Sequence, residues 1–213
     1  LQVGQQVIVP PPTPETPLPP RPQPIELPAC YDTPTGALLC LGLVTNDQPF
    51  PIENVRLQVQ LWQTDGTPLA AAETGVEQVL ILPGAAAPYG VLFGSSAGDY
   101  VAVSAVLLSA DLSPFVGERF AELKVEDVRA ENRAGRYSVT AVIYNPESYA
   151  TGAVRLVLTL LDAEGRVSGY RVLIVADSLP PGERLPVQIE AASQNADAAL
   201  THLLYAEARR AGE

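Results

Sequence analysis

Asn54-Val55-Arg56-Leu57-Gln58-Val59-Gln60-Leu61-Trp62-Gln63-Thr64-Asp65-Gly66 returns 99 positions later as Ala153-Val154-Arg155-Leu156-Val157-Leu158-Thr159-Leu160-Leu161-Asp162-Ala163-Glu164-Gly165. In both copies an apolar side chain recurs at every second position, the signature of a strand with one buried face. Each run closes on an acidic residue and a glycine, Asp65-Gly66 and Glu164-Gly165. Glycine supplies the positive φ that a tight hairpin turn needs. Arg56 and Arg155 fall on the opposite face from the apolar row and are expected to mark the solvent side.

The repeat extends beyond these two strands. Asn46 and Asn145 keep the offset, each at the end of an apolar run, and Leu82-Pro83-Gly84 corresponds to Pro180-Pro181-Gly182. Strand signals fall near 37–46, 54–63, 67–73, 76–82, 88–94 and 100–109 in the first half. In the second they fall near 120–131, 136–145, 153–162, 167–175, 184–191 and 199–208. Many short strands at this spacing indicate a sandwich, and nothing reads as a long amphipathic helix. Residues 198–210 are rich in alanine and leucine, which also suits a helix, but the repeat argues for a strand there. The expected fold is all-β: two tandem sandwiches, over 30–114 and 115–213, preceded by an N-terminal strand and a proline-rich extended arm over 1–29.

The repeated unit resembles the FxLYD-type family of immunoglobulin-like β-sandwich domains, found mainly in secreted or surface-anchored prokaryotic proteins. The resemblance rests on an apolar strand ending in an Asn turn, a strand closing on a Leu-Tyr-Asp-like triplet before a Gly hairpin, and a Pro-Gly before a late strand. Leu160-Leu161-Asp162 with Gly165 departs at the tyrosine. Leu61-Trp62-Gln63 with Gly66 departs at the last two positions but keeps an aromatic. The resemblance implies a fold for both halves and no catalytic site.

The chain of 213 residues is 47% hydrophobic and only 17% charged, with a formal net charge of −11. The hydrophobic fraction is too high for a disordered chain. The acidity speaks against nucleic acid, which needs a basic patch. From 30 to 114 there are eight carboxylates and one base, Arg56; from 115 to 213 there are fourteen carboxylates and eleven bases. No apolar run approaches the ~20 residues of a membrane helix. The absence of methionine reads as a processed or trimmed form, with any export signal or anchor upstream of Leu1. Cys30 and Cys40 flank a turn-like stretch and are placed to face each other across a hairpin. A disulfide closing so short a loop stabilises by roughly 2–3 kcal/mol in the chain-entropy model and implies an oxidising compartment. The alternative is two unlinked, buried thiols.

Chemistry is sparse. Gly94-Ser95-Ser96-Ala97-Gly98 fits the G-x-S-x-G nucleophile pattern, but that motif requires a strand-to-helix elbow, an acid and a histidine. The only histidine, His202, lies at the far end of the second half and is expected to be a partly buried, hydrogen-bonded strand residue. Glu126 and Asp127 are adjacent and point to opposite faces of a strand, a poor geometry for paired acid–base work. The only lysine, Lys124, is expected in solvent. Trp62, Tyr89, Tyr100, Tyr149 and Tyr170 are spread over both halves and read as core or corner residues rather than a glycan platform. No metal, cofactor or catalytic residue is expected.

The remaining feature is the first 29 residues. Leu1, Val3, Val7 and Val9 share one face of a strand over residues 1–9. Pro10-Pro11-Pro12 then stops it, because proline has no N–H for a ladder. A proline-rich leash over 10–28 spans roughly 50–60 Å at about 3.1 Å per residue. Three readings stand: the strand completes an edge of its own domain, the segment is a stalk to an anchor, or the strand adds to a sheet of a neighbouring subunit. The expected function is a non-enzymatic structural subunit of an extracellular filament or surface layer, assembled by donation of that strand to another copy. The alternative is a surface-anchored module on a proline-rich stalk that binds protein or glycan.

Overall fold

A computed structural model describes residues 25–94, 99–133, 136–195 and 199–212. The strand expected over residues 1–9, with Leu1, Val3, Val7 and Val9, lies outside the described residues, as do residues 95–98 of the G-x-S-x-G stretch.

The first sandwich contains β1 (Ala29–Asp32), β2 (Leu38–Thr45), β3 (Ile52–Trp62), β4 (Pro68–Gly75), β5 (Leu80–Ile81), β6 (Ala86–Phe93) and β7 (Ala102–Leu112). One sheet has the order β1-β2-β6. In the other, β3 is flanked on one side by β4, along Arg56–Trp62, and β5, along Ile52 and Glu53, and on the other by β7. A single turn, α1 (Val116–Arg119), leads to the second sandwich of β8 (Lys124–Arg133), β9 (Arg136–Tyr144), β10 (Val154–Leu161), β11 (Val167–Ala176), β12 (Arg184–Ala192) and β13 (Thr201–Glu207). Its sheets have the orders β12-β9-β8 and β11-β10-β13. All pairings are antiparallel.

The sequence repeat is thus a topological repeat. β2 and β9 are flanked by equivalent strands, and so are β3 and β10. The equivalence extends to an irregularity in the first strand. Ile25 bridges Val44 and Ala29 pairs with Leu41, one residue out of step. Val125 pairs with Ile143 and Arg129 with Thr140, with the same one-residue slip. A bulge takes up the extra residue in each case, at Leu27-Pro28 and at Asp127-Val128, and Asp127 sits at φ 51°.

The alternation read from the sequence fills two cores. Leu57, Val59 and Leu61 of β3 meet Tyr89, Val91 and Phe93 of β6, whereas Leu156, Leu158 and Leu160 of β10 meet Val139, Ile143 and Ile189. Asn46 and Asn145 are fully buried and act as identical clamps. Asn46 Nδ2 donates to the carbonyls of Phe50 and Ile81, both at 2.9 Å, and Asn145 Nδ2 donates to those of Tyr149 and Leu179 at 3.0 and 2.9 Å. The Pro-Gly turns complete each clamp, with Gly84 N–H donating to the Asn46 carbonyl and Gly182 N–H to that of Asn145. A buried amide must find partners or forfeit its hydration, which explains why this residue stands at the same place in both copies.

Several expectations need correction. Of 76–82 only Leu80–Ile81 forms a strand, because Glu77 and Val79 turn toward the second sandwich. The strand expected from 120 begins at Lys124, with Phe120 making only an isolated bridge to Arg209. The strand expected near 199–208, by contrast, is present as β13, as the repeat argued against a helix. Ile25 and Glu26, at the end of the arm, already touch β2: Glu26 N–H donates to the Leu43 carbonyl at 3.4 Å.

Candidate functional site

The region with the most chemistry is the seam where the sandwiches meet. The outer face of β1-β2-β6 lies against β10 and β11. Leu41 and Leu43 form a cluster with Val167, joined by Tyr31, Leu39, Leu161 and Tyr170. β2 is consequently buried on both faces, Leu38, Cys40 and Val44 inward and Leu41 and Leu43 outward. β10 behaves likewise: Val157 and Thr159, opposite its core row, are each 1% exposed. Tyr31 Oη donates to the Val167 carbonyl at 2.9 Å.

A polar cluster closes one side of this seam. Arg155 Nη1 lies 2.6 Å from Glu207 Oε1 and Nη2 lies 3.3 Å from Glu77 Oε2, while Nη1 also donates to the Glu77 carbonyl. The Val79 N–H donates to Glu207 Oε2 at 3.0 Å, and Tyr170 Oη donates to Glu77 Oε1 at 3.0 Å. Arg155 is therefore not a solvent marker, which corrects the expectation drawn from alternation. Its counterpart Arg56 does face solvent, paired with Glu73. Burial raises the pKa of Glu207, outweighing the Arg155 guanidinium and the backbone donors. Burial first, then the Glu77 carboxylate, pushes the Tyr170 phenol up to about 12. A second ion pair ties the connecting turn to the first sandwich, as Arg119 grips Glu53 with Nη1–Oε1 at 2.9 Å and Nη2–Oε2 at 2.8 Å. That grip holds the Glu53 carboxyl below its ordinary range.

Clefts of about 250 and 290 Å3 lie beside the seam. Leu80, Leu82, Phe120 and Tyr205 line the first, and Val79, Arg155, Ile174 and Arg209 belong to the second. Neither gathers a nucleophile with a base. His202 accepts or donates at Nδ1 with Tyr137 Oη at 2.9 Å, half-buried on β13, with burial lowering its pKa. Glu126 pairs with Arg184 across the sheet and Lys124 is exposed. Of the aromatic residues, Tyr89 is core, Tyr170 lies in the seam, Tyr149 lies under the Arg210 guanidinium, and Trp62 donates to Ser104 Oγ at 2.9 Å. Among the described residues no three His, Cys, Asp or Glu side chains gather as a metal site, and no helix is long and apolar enough to cross a membrane.

Cys30 and Cys40 face each other directly across the β1–β2 hairpin and form a disulfide. It ties the first strand to its neighbour five residues after Ile25, where the chain enters the sheet.

No protein-family description matches the chain, and no curated protein matches it. Among solved structures it is similar to a beta-glucuronidase from glycoside hydrolase family 2, at 16% identity over 76% of this chain and 20% of that one, with a TM-score of 0.29. It is also similar to the BSP domain of a biofilm associated protein, at 12% identity over 87% of this chain and 29% of that one, TM-score 0.22. A third is the Ruminococcus gnavus beta-glucuronidase, at 11% identity over 85% and 36%, TM-score 0.21. The chain spans a fifth to about a third of the length of these structures, and likeness at such TM-scores carries no argument about function.

Proposed function

We propose that this protein is a non-enzymatic structural subunit of an extracellular filament or surface layer, joined to its neighbours by donation of an N-terminal strand over residues 1–9. The observation that carries this reading is the occupancy of the first-strand position. In the first sandwich it is filled by residues 25–32, in the register that Val125 and Arg129 adopt in the second. A strand built from Leu1, Val3, Val7 and Val9 is therefore extra to the repeated unit, and its backbone donors and acceptors need a partner elsewhere. Strand addition supplies main-chain hydrogen bonds and pockets for alternate side chains. Head-to-tail donation that does not close on itself builds an open fibre.

The Cys30–Cys40 bridge supports an exported, load-carrying role, since it fastens the strand next to the arm to the body of the sheet. The sandwiches themselves read as FxLYD-type units. A second reading, a surface-anchored module binding protein or glycan, draws on the proline density of the arm, which suits a spacer. Deleting residues 1–9 tests the first reading. Full-length protein should form elongated assemblies by negative-stain microscopy and the truncated protein should not. A monomeric full-length protein at high concentration contradicts it.

A further inference from the structure

The open edge of β7 (Ala102–Leu112) is the feature of the described surface that most needs a partner. β7 pairs with β3 on one side, and among the described residues no strand pairs with its other side. It runs for eleven residues with no proline; its one charged residue is Asp111, near its end, and its one extra residue is Leu108, in a bulge that leaves Ala102–Leu107 in unbroken register with β3. Protected edges carry lysine, proline, a bulge or a covering element, because a bare row of N–H and C=O groups templates further pairing. The other edges have such devices: Glu73 in β4, Pro88 in β6, Arg171 in β11 and Pro186 in β12, while β8 is charged along most of its length. β13, the counterpart of β7, lies against β8. β1, at four residues, gives β7 no comparable cover.

The side chains repeat the backbone's message. Val106 and Leu108 are 51% and 47% exposed on the outer face. Val103, Ala105 and Leu107 point to the core yet stay only partly buried, so the flank of the core is open beside them.

We infer that β7 is the acceptor edge for residues 1–9 of a second copy of this chain, an inference that rests on the strand-donation reading. A nine-residue strand covers roughly 30 Å, which fits within the eleven residues of β7. Placed there, Leu1, Val3, Val7 and Val9 continue the inward row beside Val103, Ala105 and Leu107, with Gln5 at its middle, and Gln2, Gly4, Gln6 and Ile8 fall on the outer face. A second copy is within reach of the donor: nine of the fifteen residues over 10–24 are proline, and a proline-rich spacer of that length extends about 45 Å.

The test compares full-length protein, protein lacking residues 1–9, and full-length Val106→Lys/Leu108→Lys by sedimentation velocity over a concentration series. Both substituted side chains are exposed, so folding should survive, and the thermal midpoint checks it. The lysines should weaken self-association roughly tenfold or more, as charge does on a strand edge, and the truncation should abolish it. If the truncation abolishes association and the lysines leave it unchanged, donation stands and β7 is not the acceptor. If neither change matters, the donation reading itself fails. Amide hydrogen exchange on the unsubstituted chain gives a second measure. β7 should gain protection with concentration in full-length protein only. Protection that is independent of concentration and lost on truncation would mean pairing within one chain and would overturn the second-copy assignment.

Discussion

Gly90 of β6 lies directly under Tyr170 of β11: a Cβ at Gly90 would stand 2.8 Å from the tyrosine Oη. The two residues belong to different sandwiches, and the bare glycine lets the Tyr170 ring lie flat enough to reach Glu77. In the second sandwich the equivalent pairing of Leu41 with Gly90 is Thr140 with Gln188, both exposed. The repeat therefore diverges where one copy is covered and the other is not. Gly90→Val should push Tyr170 out of the seam and cost about 1–3 kcal/mol, the usual price of overpacking. Urea unfolding followed by tyrosine fluorescence measures it, with Gln188→Val expected to change stability by less than about 0.5 kcal/mol.

Leu41 and Thr140 make the same contrast. Leu41→Ala should cost about 2–4 kcal/mol by leaving a cavity in the seam, and Thr140→Ala should be close to neutral. Equal effects at the two positions by chemical denaturation would mean that the seam does not form in solution.

Arg155 and Arg56 are a second matched pair. Arg155→Ala leaves the Glu207 carboxylate buried without its guanidinium. The loss should be about 2–3 kcal/mol, below the ~3–5 of a fully buried pair, because Arg155 keeps some contact with water. Adding Glu207→Gln should recover part of it. Arg56→Ala removes only an exposed pair with Glu73, and a change within about 0.5 kcal/mol is expected. Thermal or urea unfolding of the three variants beside the unsubstituted protein decides this.

The carboxylates divide in their pH dependence. The Glu53 carboxyl is held low, chiefly by the Arg119 hydrogen bonds. For Asp162 burial is the largest single influence and pushes upward, but the Arg166 side chain and N–H together with the Glu164 N–H outweigh it, so its pKa is also lowered. Both contribute stability that is complete above their unfolded pKa and is lost as the pH falls through the folded value. Glu207 is raised by burial, so its contribution is complete below the unfolded pKa and is lost as the pH rises through the folded value. Glu53→Gln with Asp162→Asn should flatten the acid limb of the urea midpoint below about pH 4. Glu207→Gln should instead flatten the decline on the neutral side.

The sandwiches were legible because their cores obey a period of two, as Leu57, Val59 and Leu61 do, and because Asn46 and Asn145 mark the same turn. The seam was not, since alternation alone assigns Arg155 and Arg56 to one environment. The visible trace of the seam was in β2 and β10, where Leu39, Leu41 and Leu43, and Val157 and Leu161, interrupt the polar row that Ser138, Thr140, Gln58 and Gln60 keep. Strands buried on both faces read as near-continuous apolar runs; β2 does, and β10 does apart from Arg155 and Thr159. The single turn over Val116–Arg119 is too short for periodicity to register. β1 escaped notice because Pro28 stands beside it and its register slips there.

The most direct measurement is a mixing experiment. Protein lacking residues 1–9 keeps β7 but has no strand to donate, so it should cap a growing chain of full-length subunits. Negative-stain length distributions should shorten steadily as its molar fraction increases. Lengths that stay unchanged at an excess of the truncated protein would contradict assembly by strand donation.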